Sequence, residues 1–190
     1  MLATILLLGL VSVATATDLA WHKIYNWTTY TGMLTALGLS ALGSASVVGA
    51  GVPEKRLQAL GWIPVGYSLI GLLACGLVML VCFVMFKVGG GDVKLIAMLG
   101  AFMGPEKGIE AMLWTFVLGA CVGLIVLIWR VGPVRLIVHV FRHIVWSLRL
   151  GSLCPLTDEE RAQLQPPLFL APSALAAVVI VRFSLVDYLG

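Results

Sequence analysis

Apolar residues fall into six runs, at about 1–17, 29–52, 61–86, 93–103, 108–130 and 168–188. Short polar or glycine-rich breaks separate them, and one long polar connection covers 131–166. A helix needs about 20 apolar residues to cross a bilayer at a rise of 1.5 Å per residue. The third and fifth runs meet that need, and the first is marginal. The fourth, Val93 to Met103, reaches only roughly 17 Å by the same rise. It reads as a short span, or as half of a re-entrant hairpin ended by Gly104-Pro105. The pattern predicts an all-α fold: a polytopic membrane helical bundle of about six transmembrane helices, forming one domain over 1–190.

Composition supports that class. The 190 residues are 61% hydrophobic and 11% charged, with a mean hydropathy of +1.06. That is more apolar surface than a soluble domain of this size needs. The formal net charge is only +3, and nothing in its distribution points to nucleic acid. Sidedness is more informative. With every run crossing and the N-terminus outside, Lys23, Lys87, Lys94, Arg130, Arg135, Arg142, Arg149 and Arg161 share one face. Lys55, Arg56 and Lys107 fall on the other, beside Glu54, Glu106 and Glu110. Eight against three follows the positive-inside rule and favours six crossings. Ala14-Thr15-Ala16 has the look of a signal-peptidase site, but no basic segment precedes the apolar run, so the first run is read as a retained span.

Three further patterns describe packing or surface. Gly32, Ala36, Ser40 and Ser44 recur every four residues on the second run, a small-residue stripe that lets helices approach closely. Within the long connection, Arg135, His139, Arg142, Trp146 and Arg149 oppose Leu136, Ile137, Val140, Ile144 and Val145. This predicts a basic amphipathic helix on the cytoplasmic leaflet, in contact with membrane lipid. His139 and His143 share a helix face but lack a nearby acidic partner, so no metal site is expected. The four cysteines, Cys75, Cys82, Cys121 and Cys154, show no paired spacing and are read as small buried hydrophobes.

Two carboxylates stand apart from these patterns. Asp92 follows Gly89-Gly90-Gly91 and precedes Val93-Lys94-Leu95, and Asp18 closes the first apolar run. Ionisable groups at such positions in a membrane chain are costly and point to function. Two crossings separate them, so both face the cytoplasm. A carboxylate pair resists joint ionisation, leaving one member to take a proton from water and the other to donate to a carbonyl. That is the chemistry of an aspartyl protease. Against it, Asp18 could merely end the first span or cap the next helix, and Asp92 could be the N-cap of the fourth run after an ordinary glycine turn.

The stretch Gly89-Gly90-Gly91-Asp92-Val93-Lys94-Leu95 resembles the GxGD motif of the type IV prepilin peptidase family of membrane aspartyl proteases. Leu99-Gly100-Ala101-Phe102-Met103-Gly104-Pro105 is similar to that motif's continuation. Asp18, Ile24 and Asn26 match the family's other motif, an aspartate followed after five residues by Ile-Pro-Asn, with Lys23 at a usually basic position and Tyr25 replacing proline. The Pro167 to Pro172 stretch is similar to the proline-containing start of the family's last helix. The resemblance implies that Asp18 and Asp92 are the catalytic pair, with Gly89, Gly90, Gly91 and Lys94 in the active-site loop and Lys23 and Asn26 supporting the first aspartate. It implies prepilin or pseudopilin substrates cut at the cytoplasmic side of the inner membrane, and no metal or other cofactor. About a dozen residues without cysteine join the first two runs, where larger members insert a domain with paired C-x-x-C motifs. The chain therefore resembles the short form of tight-adherence (Flp-type) pilus systems, with peptidase and no methyltransferase activity. Two other classes stay open from the sequence: a small proton- or cation-coupled transporter or channel, and a non-catalytic pilus-assembly scaffold.

Overall fold

A computed structural model describes residues 2–21, 23–51, 53, 61–86, 89–131 and 170–183. The expected amphipathic helix at 135–149, His139, His143, Cys154 and most of the arginines used for sidedness lie outside the described residues. The chain divides into two compact units, Met1–Leu118 with Phe169–Gly190, and Gly119–Leu168.

The described residues form helices and no strands: α1 (Leu2–Trp21), α2 (Asn26–Ala50), α3 (Val65–Phe86), α4 (Gly90–Val131) and α5 (Leu170–Arg182). The first four are long and apolar enough to cross a membrane. Apolar runs and helices differ most at their ends. The first run was expected to stop near residue 17, but α1 continues through Asp18 to Trp21. The fourth run was expected from Val93, but α4 begins at Gly90.

The expected fourth and fifth runs meet at one residue. Gly104 has φ 81° and ψ 178° inside α4, a conformation essentially reserved for glycine. Pro105 follows, where its fixed φ and missing N–H suit a helix's first position. The break is a reversal. A Cβ on Gly108 would stand 2.9 Å from Gly100 Cα, whereas eight residues of continuous helix would separate the two by roughly 12 Å. Gly71 of α3 lies against the backbone of both Gly100 and Gly104 with no room for a Cβ, so three chain segments meet where none carries a side chain.

The limb before the break, 90–103, is roughly 21 Å long. Residues 95–103 within it are all buried, as is Gly104 at the break. A helix apolar and buried on every side is a core element. Non-helical backbone at membrane depth is tolerated where protein covers it, and here α3 does so. Ser68 Oγ donates to Ala101 O across 2.7 Å, and Gly76 stands against Ala97, so α3 runs antiparallel to this limb. On its other side, Gly32 of α2 accepts the Met98 side chain together with Leu10 of α1. The small-residue stripe of α2 is thus a packing face, with Ala36 and Ser40 buried and the Ser40 carbonyl accepting Trp62 Nε1 at 3.0 Å. Helix α5 lies antiparallel to α1: Thr15 Oγ1 donates to Ala171 O at 3.1 Å, and Arg182 Nε donates to Thr4 Oγ1 at 2.8 Å. Cys75 is buried as expected, but Cys82 is half-buried and Cys121 exposed; both lie on helices apolar enough to cross a membrane, where a small apolar side chain needs no protein burial.

Candidate active site

Leu7, Val11, Ala14 and Asp18 are all buried on α1. Their spacing of three and four residues puts them on one face. Asp18 is therefore the last member of the stripe that packs α1 into the bundle, 9% exposed, and not a residue beyond the helix. It stands in the final turn, where the helix dipole disfavours a carboxylate. It does not cap α2 either. The N-cap of α2 is Tyr25, which makes no side-chain cap bond, and its carbonyl accepts Thr28 N at 3.1 Å.

Asp92 occupies the opposite kind of helix end. The Gly89 carbonyl accepts Asp92 N at 3.1 Å and Val93 N at 3.4 Å, which makes Gly89 the N-cap and Asp92 the third helical residue. Its carboxylate folds back and accepts the Gly89 N–H, the half of a capping box that runs from the third helical residue to the N-cap. Asp92 is thus not itself the N-cap. Gly90 and Gly91 are helical, and the positive-φ glycines among the described residues are Gly51, Gly61 and Gly104. Gly90-Gly91 is thus the first turn of a helix and not an ordinary glycine turn before one. What glycine supplies at 91 is room, since a Cβ there would stand 3.0 Å from Ile24 Cβ.

Three links join the two motifs. Ile24 packs on Gly91. Lys94 Nζ donates to Asn26 Oδ1 across 2.7 Å. The Asp18 and Asp92 carboxylates are close enough for their charges to act on one another. Together these contacts hold the end of α1, the turn at 23–25, the start of α2 and the start of α4 as one cluster. Lys23 is exposed on that turn and takes no part in these links among the described residues. Gly89 and Gly90 are exposed, so the backbone leading to Asp92 is open to an approaching chain.

Tyr25, where the resembling motif has proline, has φ −71° and ψ 132°. That φ lies in the range proline's ring imposes, and the ψ is extended, so the turn keeps a proline-compatible backbone without the proline. Tyr25 also stacks edge-on against Trp21, with centroids 6.1 Å apart. One neighbour was missed from the sequence. Lys94 Nζ lies 4.9 Å from the centroid of the Tyr30 ring. Tyr30 is four residues after Asn26 on α2, hence on the same helix face, and that spacing is the signal that could have found it. A cavity of about 220 Å³, lined by Leu2, Ala36, Leu39, Trp62 and Phe102 among others, lies at the far end of α1 from Asp18 and is no part of this cluster.

No curated protein and no solved structure matches the chain. A family model described as the type IV leader peptidase family matches residues 5–124, well over half of the sequence. The matched stretch covers most of α1, all of α2 and α3, the limb before Gly104, most of the limb after it, and both aspartates. With four helices able to cross a bilayer, the chain is an integral membrane protein of that kind: it belongs to the type IV leader peptidase family.

Proposed function

We propose that this protein is a prepilin leader peptidase whose catalytic pair is Asp18 and Asp92. The observation that carries the reading is that the Gly91–Ile24 and Lys94–Asn26 contacts bring the start of α4 to the end of α1, near enough for the two carboxylate charges to act on one another. In the proposed reaction the pair holds one proton between them. The ionised carboxylate takes a proton from water, which attacks the scissile carbonyl. The protonated one donates to the carbonyl oxygen, and the leaving amine is protonated as the C–N bond breaks. The pair titrates as a unit, so neither member has a fixed role. The mechanism uses no cofactor.

The finer features of the proposal extend the family resemblance. The substrates are prepilins or pseudopilins of Flp type, with a short basic leader before an apolar helix. That helix packs among the spans, and the cut falls at the cytoplasmic face of the inner membrane. The chain acts as one peptidase domain with six crossings, counting the two limbs around Gly104 separately, and a cytoplasmic amphipathic helix held by lipid. Exposed Trp21, Tyr25, Trp27 and Tyr30 surround the carboxylate end, and aromatic residues of this kind favour the membrane–water interface. This supports a site at interface depth.

The test is co-expression with a tagged Flp-type prepilin, reading leader removal by gel shift and mass spectrometry. The parent is expected to release the leader, and Asp92→Asn at equal abundance is expected not to. Cleavage by that variant would remove the proposed pair.

A further inference from the structure

The Lys94 ammonium is directed away from the carboxylate two residues before it. Residues two apart on a helix do not face each other, and among the described residues Lys94 forms no ion pair with Asp92. It reaches sideways from α4 to α2, donating to Asn26 Oδ1 at 2.7 Å and lying 4.9 Å from the Tyr30 ring centroid. Asn26 is the first residue of α2, directly after the turn that leads back to Asp18. On the neighbouring turn of α4, Gly91 receives Ile24. The helix that carries Asp92 is therefore fixed to the chain that carries Asp18 through a polar contact and an apolar one.

We infer that Lys94, Asn26 and Tyr30 form a positioning clamp that sets the separation of Asp18 from Asp92. The catalytic part of this inference rests on the proposed function above; the geometric part does not. The three groups have distinct tasks. Asn26 supplies an acceptor at a fixed place at the start of α2. The Tyr30 ring covers the ammonium with its electron-rich face, which holds a cation by a contact that needs no hydroxyl. Lys94 supplies a cation long enough to span the two helices. A shift of about 1 Å between catalytic groups can cost on the order of 10²-fold in rate, so the clamp acts on turnover more than on folding.

Two measurements on the full-length protein in membranes test this. The first does not depend on activity. With the native cysteines replaced, Asp18→Cys and Asp92→Cys are introduced together and joined with a short bifunctional thiol reagent. Lys94→Met and Tyr30→Leu are each expected to lower the cross-linking yield several-fold, roughly in step with loss of a positioning contact. Tyr30→Phe, which keeps the ring, is expected to leave the yield unchanged. The second measures kcat and KM for a tagged prepilin with both aspartates intact. Lys94→Met and Tyr30→Leu are expected to lower kcat by about 10- to 100-fold with KM nearly constant. Tyr30→Phe is expected to keep the parent's kcat, and the Lys94→Met/Tyr30→Leu double variant to be no slower than the slower single, as shared contacts require. Unchanged cross-linking in Lys94→Met overturns the clamp whatever the kinetics show. If Asp92→Asn still cleaves, the proteolytic reading fails, and the cross-linking yield continues to decide the clamp.

Discussion

The two helix ends that bear the aspartates are built on opposite principles. Asp92 sits in the first turn of α4, where its carboxylate accepts the Gly89 N–H and meets the positive end of the helix dipole. Asp18 sits in the last turn of α1, where the dipole has the opposite sign, on the buried face of the helix. One carboxylate thus stabilises the helix that carries it, and the other is placed against the energetics of its own. The comparison shows which residue an argument from stability can explain. A capping carboxylate accounts for Asp92 by itself, but no helix-forming preference accounts for Asp18. The case for chemistry therefore starts at Asp18, and the neighbouring charge brings Asp92 into it.

Activity and stability should separate along this line. Removing either carboxylate's charge has the largest expected effect. Asp18→Asn and Asp92→Asn should each reduce prepilin cleavage by at least about 10³-fold, the scale of lost general acid–base catalysis, measured by leader release at matched protein abundance. Next comes the packing that holds the α4 limb. A side chain at Gly100 would run into the Gly71 carbonyl oxygen and come within 2.9 Å of Cys75 Cβ. Gly100→Val should therefore cost about 1–3 kcal/mol or more, as overpacked cores do, seen as a lowered thermal midpoint in detergent. Full stability there would mean the limbs are not packed as described.

Smaller effects sharpen the contrast between the two ends. Gly91→Ala pushes against Ile24 without entering a left-handed conformation. Cleavage should fall several-fold, while stability stays within about 1 kcal/mol, because alanine's better helix propensity offsets the contact. Equal turnover in Gly91→Ala would show that the Ile24 contact does not position the pair. Between the two asparagine variants, Asp92→Asn should be the less stable by about 0.3–1 kcal/mol, the usual worth of a charge at a favourable helix terminus. The reverse order of midpoints would break the comparison. Tyr25→Pro should change least. The backbone already holds proline's φ, so activity is expected to persist with stability altered by no more than about 1 kcal/mol.

Much of this was legible in the sequence, and the failures have identifiable causes. Hydropathy marked the helices but misjudged where α1 and α4 end and begin. Apolar content reports the cost of transfer into lipid, whereas a helix continues as long as backbone bonds continue, here through Asp18, Leu19 and Ala20 to Trp21. Gly89-Gly90-Gly91 read as a turn because glycine is a poor helix former. Tertiary context reversed that preference, through the Gly89 cap and the Ile24 side chain that only a bare Gly91 admits. The break at Gly104-Pro105 was readable because glycine and proline each impose a local geometry. The burial of 95–104 on all sides was not, since an apolar run looks the same whether lipid or protein surrounds it. The pair Asp18 and Asp92 came from two spaced motifs, and their meeting needed the fold. The link from Lys94 to Tyr30 crosses between helices that are distant in sequence and carries no motif of its own.

The most direct test compares Asp18→Asn, Asp92→Asn and the double variant with the parent in one reconstituted membrane assay of prepilin cleavage. If the two carboxylates work as a unit, each single variant should fall to the level of the double, because removing one member already disables the pair. Turnover retained by either single variant, at equal abundance and insertion, would contradict the account.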